Sequence, residues 1–154
     1  MEERIEKAVS LFKEGYNCSQ SVVAAFADIY GFTTEQALRM SASFGGGIGR
    51  MRQTCGAACG LFMLAGFETG ATDGKDREGK EANYKLVQEL AEEFRLRNGS
   101  IVCAELLGLS KNAPTPATPE ARTNEYYKKR PCVKMVEEAA CIWCEYLAKK
   151  DKKE

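Results

Sequence analysis

Histidine is missing altogether from this 154-residue chain, and that absence removes a large part of side-chain chemistry. There is no Cys–His or Ser–His pair, no mixed Cys/His zinc site and no histidine ligand for haem. An excess of one charge is missing too: formal net charge is zero, so no electrostatic footprint for nucleic acid or an anionic membrane is present. Long apolar runs are also lacking. The longest mostly apolar stretch, Gly56 to Phe67, falls short of the roughly 20 residues that a bilayer-spanning helix needs. The opening Met-Glu-Glu-Arg-Ile-Glu-Lys is charged from the start, unlike a secretory signal. The expectation is a cytoplasmic protein with neither nucleic acid nor membrane as a partner, in a compartment that keeps thiols reduced.

What the chain has instead is cysteine: seven of them, an odd number that argues against a secreted disulfide framework. Clustered cysteines in a reducing compartment more often serve metal or redox work. Any such chemistry here runs on thiolates alone.

The length predicts one domain with a core that needs no disulfide staples. Apolar residues recur at helical spacing nearly throughout, and no strand pattern stands out. Ile5, Ala8, Val9 and Phe12 form one face of a helix over about 2–14, which Gly15 ends. Asn17 with Gln20, and Thr33 with Gln36, are capping-box signatures that open a second and a third helix. Thr54 is placed to cap a fourth, running to about Phe67 and apolar nearly all round, hence central. Asp76 to Arg97 is the longest periodic stretch, stopped by Asn98-Gly99. Ser100 opens a short helix through Leu107, and Pro131 opens the last, to about Lys149. Between them, Asn112 to Arg122 holds Pro114, Pro116 and Pro119, an extended surface loop. The expected fold is all-α: a single bundle of six or seven helices over 1–149, with a frayed charged tail over 150–154.

Four cysteines share a local position. Cys18 follows Asn17, Cys55 follows Thr54, Cys132 follows Pro131, and Cys103 sits slightly deeper in its first turn. Unpaired backbone N–H groups and the positive end of the helix dipole favour an anionic sulfur there. For one cysteine alone, packing as a small apolar group is the simpler explanation; four at the same place favour a shared site. Cys59, four residues after Cys55 and on the same helical face, is either a fifth sulfur near that site or a small packing residue. Cys141 and Cys144 match the Cys-x-x-Cys redox motif only in letters, because they fall mid-helix. They read as bystanders.

Gly45-Gly46-Gly47-Ile48-Gly49 leads into Arg50, Arg52 and the Cys55 helix. Gly45, Gly46, Gly47 and Gly49 allow positive φ and close approach of backbone to a ligand, and successive N–H groups can form an anion-binding nest. With no Gly-Lys-Ser/Thr after it and no strand before it, the loop is not a nucleotide-phosphate loop. A tight connection between two helices is the plainer alternative.

Together these residues resemble a known family. Cys55-Gly56-Ala57-Ala58-Cys59-Gly60 matches a Cys-Gly-Ala-x-x-Gly motif. Cys18 stands upstream in Tyr16-Asn17-Cys18-Ser19-Gln20, the glycine loop precedes the motif, and two more cysteines follow. The pattern is similar to that of the bacterial and archaeal proteins named redox-active for their Cys…Gly-Cys-Ala-x-x-Gly…Cys…Cys cysteines. The resemblance covers roughly Glu14 to Cys132 and places the family's four cysteines on Cys18, Cys55, Cys103 and Cys132. A similar domain occurs in split-Soret cytochromes, beside haem and with an iron-containing centre. This chain has no haem-attachment motif, so only the iron–sulfur part of the likeness transfers. Cys59 and the Cys141/Cys144 pair depart from the pattern.

Three readings stay open. The first is an electron-transfer protein whose four thiolates hold an iron–sulfur cluster or other thiolate-bound metal, with a redox partner of unknown identity. The second is a metal-free thiol–disulfide oxidoreductase or sensor. The third is a helical interaction domain with buried or zinc-bound cysteines. Neither haem nor nucleotide is expected, and homodimerisation is compatible with all three.

Overall fold

The structure, a computed structural model, describes residues 1–153. Glu154, the last residue of the tail expected to fray, lies outside the described residues. The fold is all-α. Eight α-helices appear among the described residues: α1 (Glu2–Lys13), α2 (Cys18–Ala24), α3 (Thr34–Ser41), α4 (Gly56–Thr69), α5 (Arg77–Asn98), α6 (Cys103–Leu106), α7 (Asn124–Lys129) and α8 (Cys132–Lys153). Seven match expected segments. The eighth, α7, is too short to show a period, and its Thr123 cap, which accepts a hydrogen bond from the Tyr126 N–H, was its only local sign.

Helix α4 is the centre, packed against α2, α5 and α8. It can be central because it is apolar nearly all round, with Gly56 through Leu61, Leu64 and Ala65 buried. Gly60 lets α2 come close: a Cβ there would lie 2.9 Å from the Val22 Cβ and 3.1 Å from the Ser19 carbonyl oxygen. Around α4 the core is filled by Phe12, Phe26, Phe94 and Trp143, all essentially inaccessible to solvent. Each such side chain contributes on the order of 1.5–3 kcal/mol by leaving water.

The caps decide where the helices begin. Both predicted capping boxes form, at Asn17/Gln20 and Thr33/Gln36. Thr54 does not cap α4. Cys55 occupies that position, and Thr54 instead makes an isolated antiparallel bridge with Val102. The helix that Asn17 opens breaks after Ala24 into a 3₁₀ turn, Ala27–Tyr30, which Gly31 closes at a φ of 77°.

The proline-rich segment is extended, as its composition predicts. It is also pinned. Arg50 donates from Nη1 to the carbonyls of Pro116, at 2.6 Å, and Thr118, and Glu120 pairs with Arg130. Arg122 donates to the carbonyls of Phe12, at 2.7 Å, and Tyr16, at 2.9 Å. The segment is therefore a strap laid across one end of the bundle.

Candidate functional site

That end of the bundle is where the helix starts converge. Cys18, Cys103 and Cys132 are the first residues of α2, α6 and α8, and Cys55 is the N-cap of α4. All four line one cavity of about 440 Å³. The placement follows from capping: a residue that starts a helix sits at the helix tip, and four tips meet here. Cys18 and Cys132 lie close enough for each thiol to shift the other's titration.

Backbone stitching sets the register between Cys55 and Cys103. The Cys55 N–H donates to the Ile101 carbonyl at 2.7 Å, the Cys103 N–H to Gln53 at 2.6 Å, and the Ala104 N–H to Arg52 at 3.2 Å. Two of these acceptors, Arg52 and Gln53, follow the glycine loop, which makes an unusual turn. Gly46, Gly47, Ile48, Gly49 and Arg50 all have positive φ, from 56° to 76°, and Arg52 follows at 62°. Five consecutive residues in the left-handed region make a short left-handed turn, which costs a branched residue such as Ile48 about 1–2 kcal/mol. Gly47 is required there, since an added Cβ would sit 2.6 Å from the Cys103 Cβ and 2.7 Å from the Arg52 Cα. Gly45, Gly46, Gly47 and Gly49 all line the cavity. Among the described residues, the N–H groups of Gly46 and Gly47 have no hydrogen-bond acceptor.

The strap and α7 complete the wall with charge. Arg50, Arg52, Arg122 and Arg130 face the cavity, against one carboxylate, Glu120, which is shared by Arg50 and Arg130. Arg52 reaches the Cys103 sulfur, Nη1 to Sγ 3.7 Å. Arg122 lies over the Phe12 ring, 4.2 Å from its centroid, and over Tyr126 at 5.0 Å. Tyr126 lines the same cavity as Cys132 and favours its thiolate.

The four thiols do not titrate alike. A lowered pKa at every helix start was expected, and three of the four are raised instead, Cys55 and Cys103 chiefly by burial. Cys55 is pushed up to about 12 by burial, although the Ala57 and Ala58 N–H groups favour its thiolate. Cys103 is raised by burial, which outweighs the Arg52 guanidinium. Cys18 is raised by its hydrogen bond to Cys132 and then by burial. Cys132 alone falls, to about 7, through the hydrogen bond from Cys18, with Arg130, Tyr126 and Arg122 also favouring the thiolate. A dipole at a helix tip acts within one turn and is worth at most about 2 kcal/mol, so dehydration of the sulfur overrides it.

The remaining cysteines lie elsewhere. Cys59 is buried and does not line the cavity; its sulfur contacts the Thr54 carbonyl at 3.7 Å, and burial raises its pKa to about 11. Cys144 is buried against the Met1 carbonyl at 3.5 Å, and Cys141 is half-buried in the middle of α8. Tyr126, Glu120, Arg122 and Arg130 belong to the site yet carry no local motif. Only the placement of the strap, a tertiary fact, brings them in.

In reduced, metal-free protein, iodoacetamide is expected to label Cys132 first. Its thiolate fraction grows as pH passes about 7, so its rate should climb steeply between about pH 6 and 8 and then level off. Cys55 remains a thiol over that whole range. Peptide mapping against time at several pH values checks the order, and faster labelling of Cys141 would move the reactive centre to α8.

Among the described residues, no group of three cysteine or carboxylate side chains is placed to hold a single metal ion, and no helix is long and apolar enough to cross a membrane. The family described as "Putative redox-active protein (C_GCAxxG_C_C)" matches residues 16–146, the span that contains all four cavity cysteines. No curated protein and no solved structure matches the chain.

Proposed function

The chain belongs to this redox-active family, and from that premise we propose that Cys18, Cys55, Cys103 and Cys132 are the thiolate ligands of an iron–sulfur cluster that carries electrons. The observation behind this reading is that the four sulfurs line one cavity with four arginines and one carboxylate. A mononuclear site needs its donors converging on one point, and no three of them do so. In a four-iron cluster each iron takes its own terminal thiolate, so the ligands ring the core instead. Such a cluster with its thiolates is anionic, which suits the excess of guanidinium on the wall.

When bound, the cluster supplies a reversible one-electron couple. The chain's own residues do the rest. The cysteines would hold it from four different elements, which would keep its surroundings rigid when the charge changes. Gly46 and Gly47 line the cavity with unpaired N–H groups, which would be available to hydrogen-bond sulfur there and so adjust a cluster's potential. The strap from Asn112 to Arg122 limits access of water to the site.

A second reading rests on the contact between Cys18 and Cys132. Two neighbouring thiols that line one cavity could form a disulfide, passing two electrons and two protons to an acceptor disulfide that becomes two thiols. The protein would then be a thiol–disulfide oxidoreductase.

Anaerobic purification followed by iron and acid-labile sulfide analysis separates the two. The cluster reading expects brown protein with visible absorption, lost on Cys→Ser change at each of positions 18, 55, 103 and 132 and kept in Cys141→Ser and Cys144→Ser. Colourless, metal-free protein that gains a Cys18–Cys132 disulfide on mild oxidation would establish the second reading instead.

A further inference from the structure

Arg52 carries two features that do not fit a loop residue serving the fold alone. Its backbone is held at a φ of 62°, a region where glycine is at home and an arginine is strained. Ile48 and Arg50 share this conformation with glycines 46, 47 and 49, so what sets Arg52 apart is its side chain. The contribution of Arg52 to the loop's hydrogen bonding comes from its backbone: its N–H donates to the Gly46 carbonyl at 3.2 Å, and its carbonyl accepts from Ala104. Glycine would make both. What glycine would not supply is the guanidinium, and that reaches the Cys103 sulfur at 3.7 Å. No carboxylate stands within ion-pair distance of it among the described residues, unlike Arg50 and Arg130, which share Glu120.

We propose that Arg52 is a positioning residue whose guanidinium stabilises negative charge on the Cys103 sulfur and thereby raises the reduction potential of the four-cysteine centre. This rests on the reading of those cysteines as one redox site. When a one-electron donor reduces the centre, one negative charge is added and no bond is broken. A fixed cation beside one ligand sulfur favours that reduced, more negative state. The left-handed backbone at Arg52 is strain retained at a functional position, as occurs where the surrounding structure over-determines a conformation.

The test compares Arg52→Gly, Arg52→Lys and Arg52→Gln with the unaltered protein by thermal melting and by redox titration of the loaded centre. Arg52→Gly should melt no lower than the parent, because backbone strain is relieved, while its potential moves negative. A tenfold shift of the equilibrium toward the oxidised form corresponds to about 59 mV for one electron. Arg52→Lys keeps the charge and should recover part of the potential, and Arg52→Gln should not. A glycine variant with unchanged potential, or one that melts lower with its potential intact, overturns the proposal. If the protein holds no metal, the cluster reading has failed on its own. The inference is then decided by Cys103 labelling with iodoacetamide at fixed pH, expected to slow several-fold in the glycine and glutamine variants. Equal labelling rates would overturn it.

Discussion

Gly47→Val is expected to unfold or severely destabilise the protein, by about 2–5 kcal/mol. Two costs add. A branched residue at a φ of 76° sits in the left-handed region at about 1–2 kcal/mol. Its Cβ would also stand 2.6 Å from the Cys103 Cβ, 2.7 Å from the Arg52 Cα and 2.7 Å from the Gln53 nitrogen. Two of those three contacts are backbone, so no rotamer change relieves them, and overpacking of this kind costs a further 1–3 kcal/mol, roughly. Against a typical stability of about 5–15 kcal/mol the loss is large. Gly49→Ala is the control. It shares the positive φ, at 56°, but the nearest atom to its Cβ would be the Ser43 carbonyl oxygen at 4.0 Å. It should therefore cost only about 1 kcal/mol. Thermal melting of the pair, with metal content and thiol titre of whatever remains folded, separates backbone strain from intrusion on Cys103. Equal melting temperatures would show that the Gly47 contact with Cys103 is not tight.

Arg122→Ala should release the strap. The guanidinium donates to the Phe12 and Tyr16 carbonyls and lies over the Phe12 and Tyr126 rings, joining the end of the strap to α1 and α7. Charged hydrogen bonds contribute about 1.5–3 kcal/mol each and cation–π contacts about 0.5–2. These are not additive, and water can replace part of the donors, so a net loss of about 2–4 kcal/mol is expected. The location of the effect matters more than its size. Limited proteolysis should cut between Asn112 and Ala121, and the cavity cysteines should label faster, while the α4 core keeps its protection. A protein that loses stability throughout, with no preferential cleavage in the strap, would mean that Arg122 anchors the bundle and not the strap.

Much of the fold was readable because its signals are local. Capping boxes at Asn17 and Thr33, the Gly99 stop and the period of α5 all depend on residues within a turn of one another. Helix α7 escaped because its six residues hold less than two turns, too few for periodicity to register. The break after Ala24 escaped because burial in the core, with Val22 to Ala27 all inaccessible, holds the chain where propensity alone would continue the helix. The cysteine set was legible for the same local reason: a helix start is marked by its neighbours in sequence, and Cys18, Cys55, Cys103 and Cys132 each carry that mark.

The sequence by itself determined the helical class, the four helix starts that carry sulfur and the glycine positions that admit left-handed backbone, since each follows from short-range sterics and hydrogen bonding. Tertiary structure alone decided that the four tips meet at one cavity, that the strap brings Arg122, Arg130 and Glu120 to it, and that Tyr126 lines it beside them. It also decided the charge state of the thiols. Pairing of Cys132 with Cys18 lowers one pKa while burial raises those of Cys55 and Cys103. Dehydration and contact depend on what the rest of the chain packs around each sulfur, and no local pattern in the sequence encodes that.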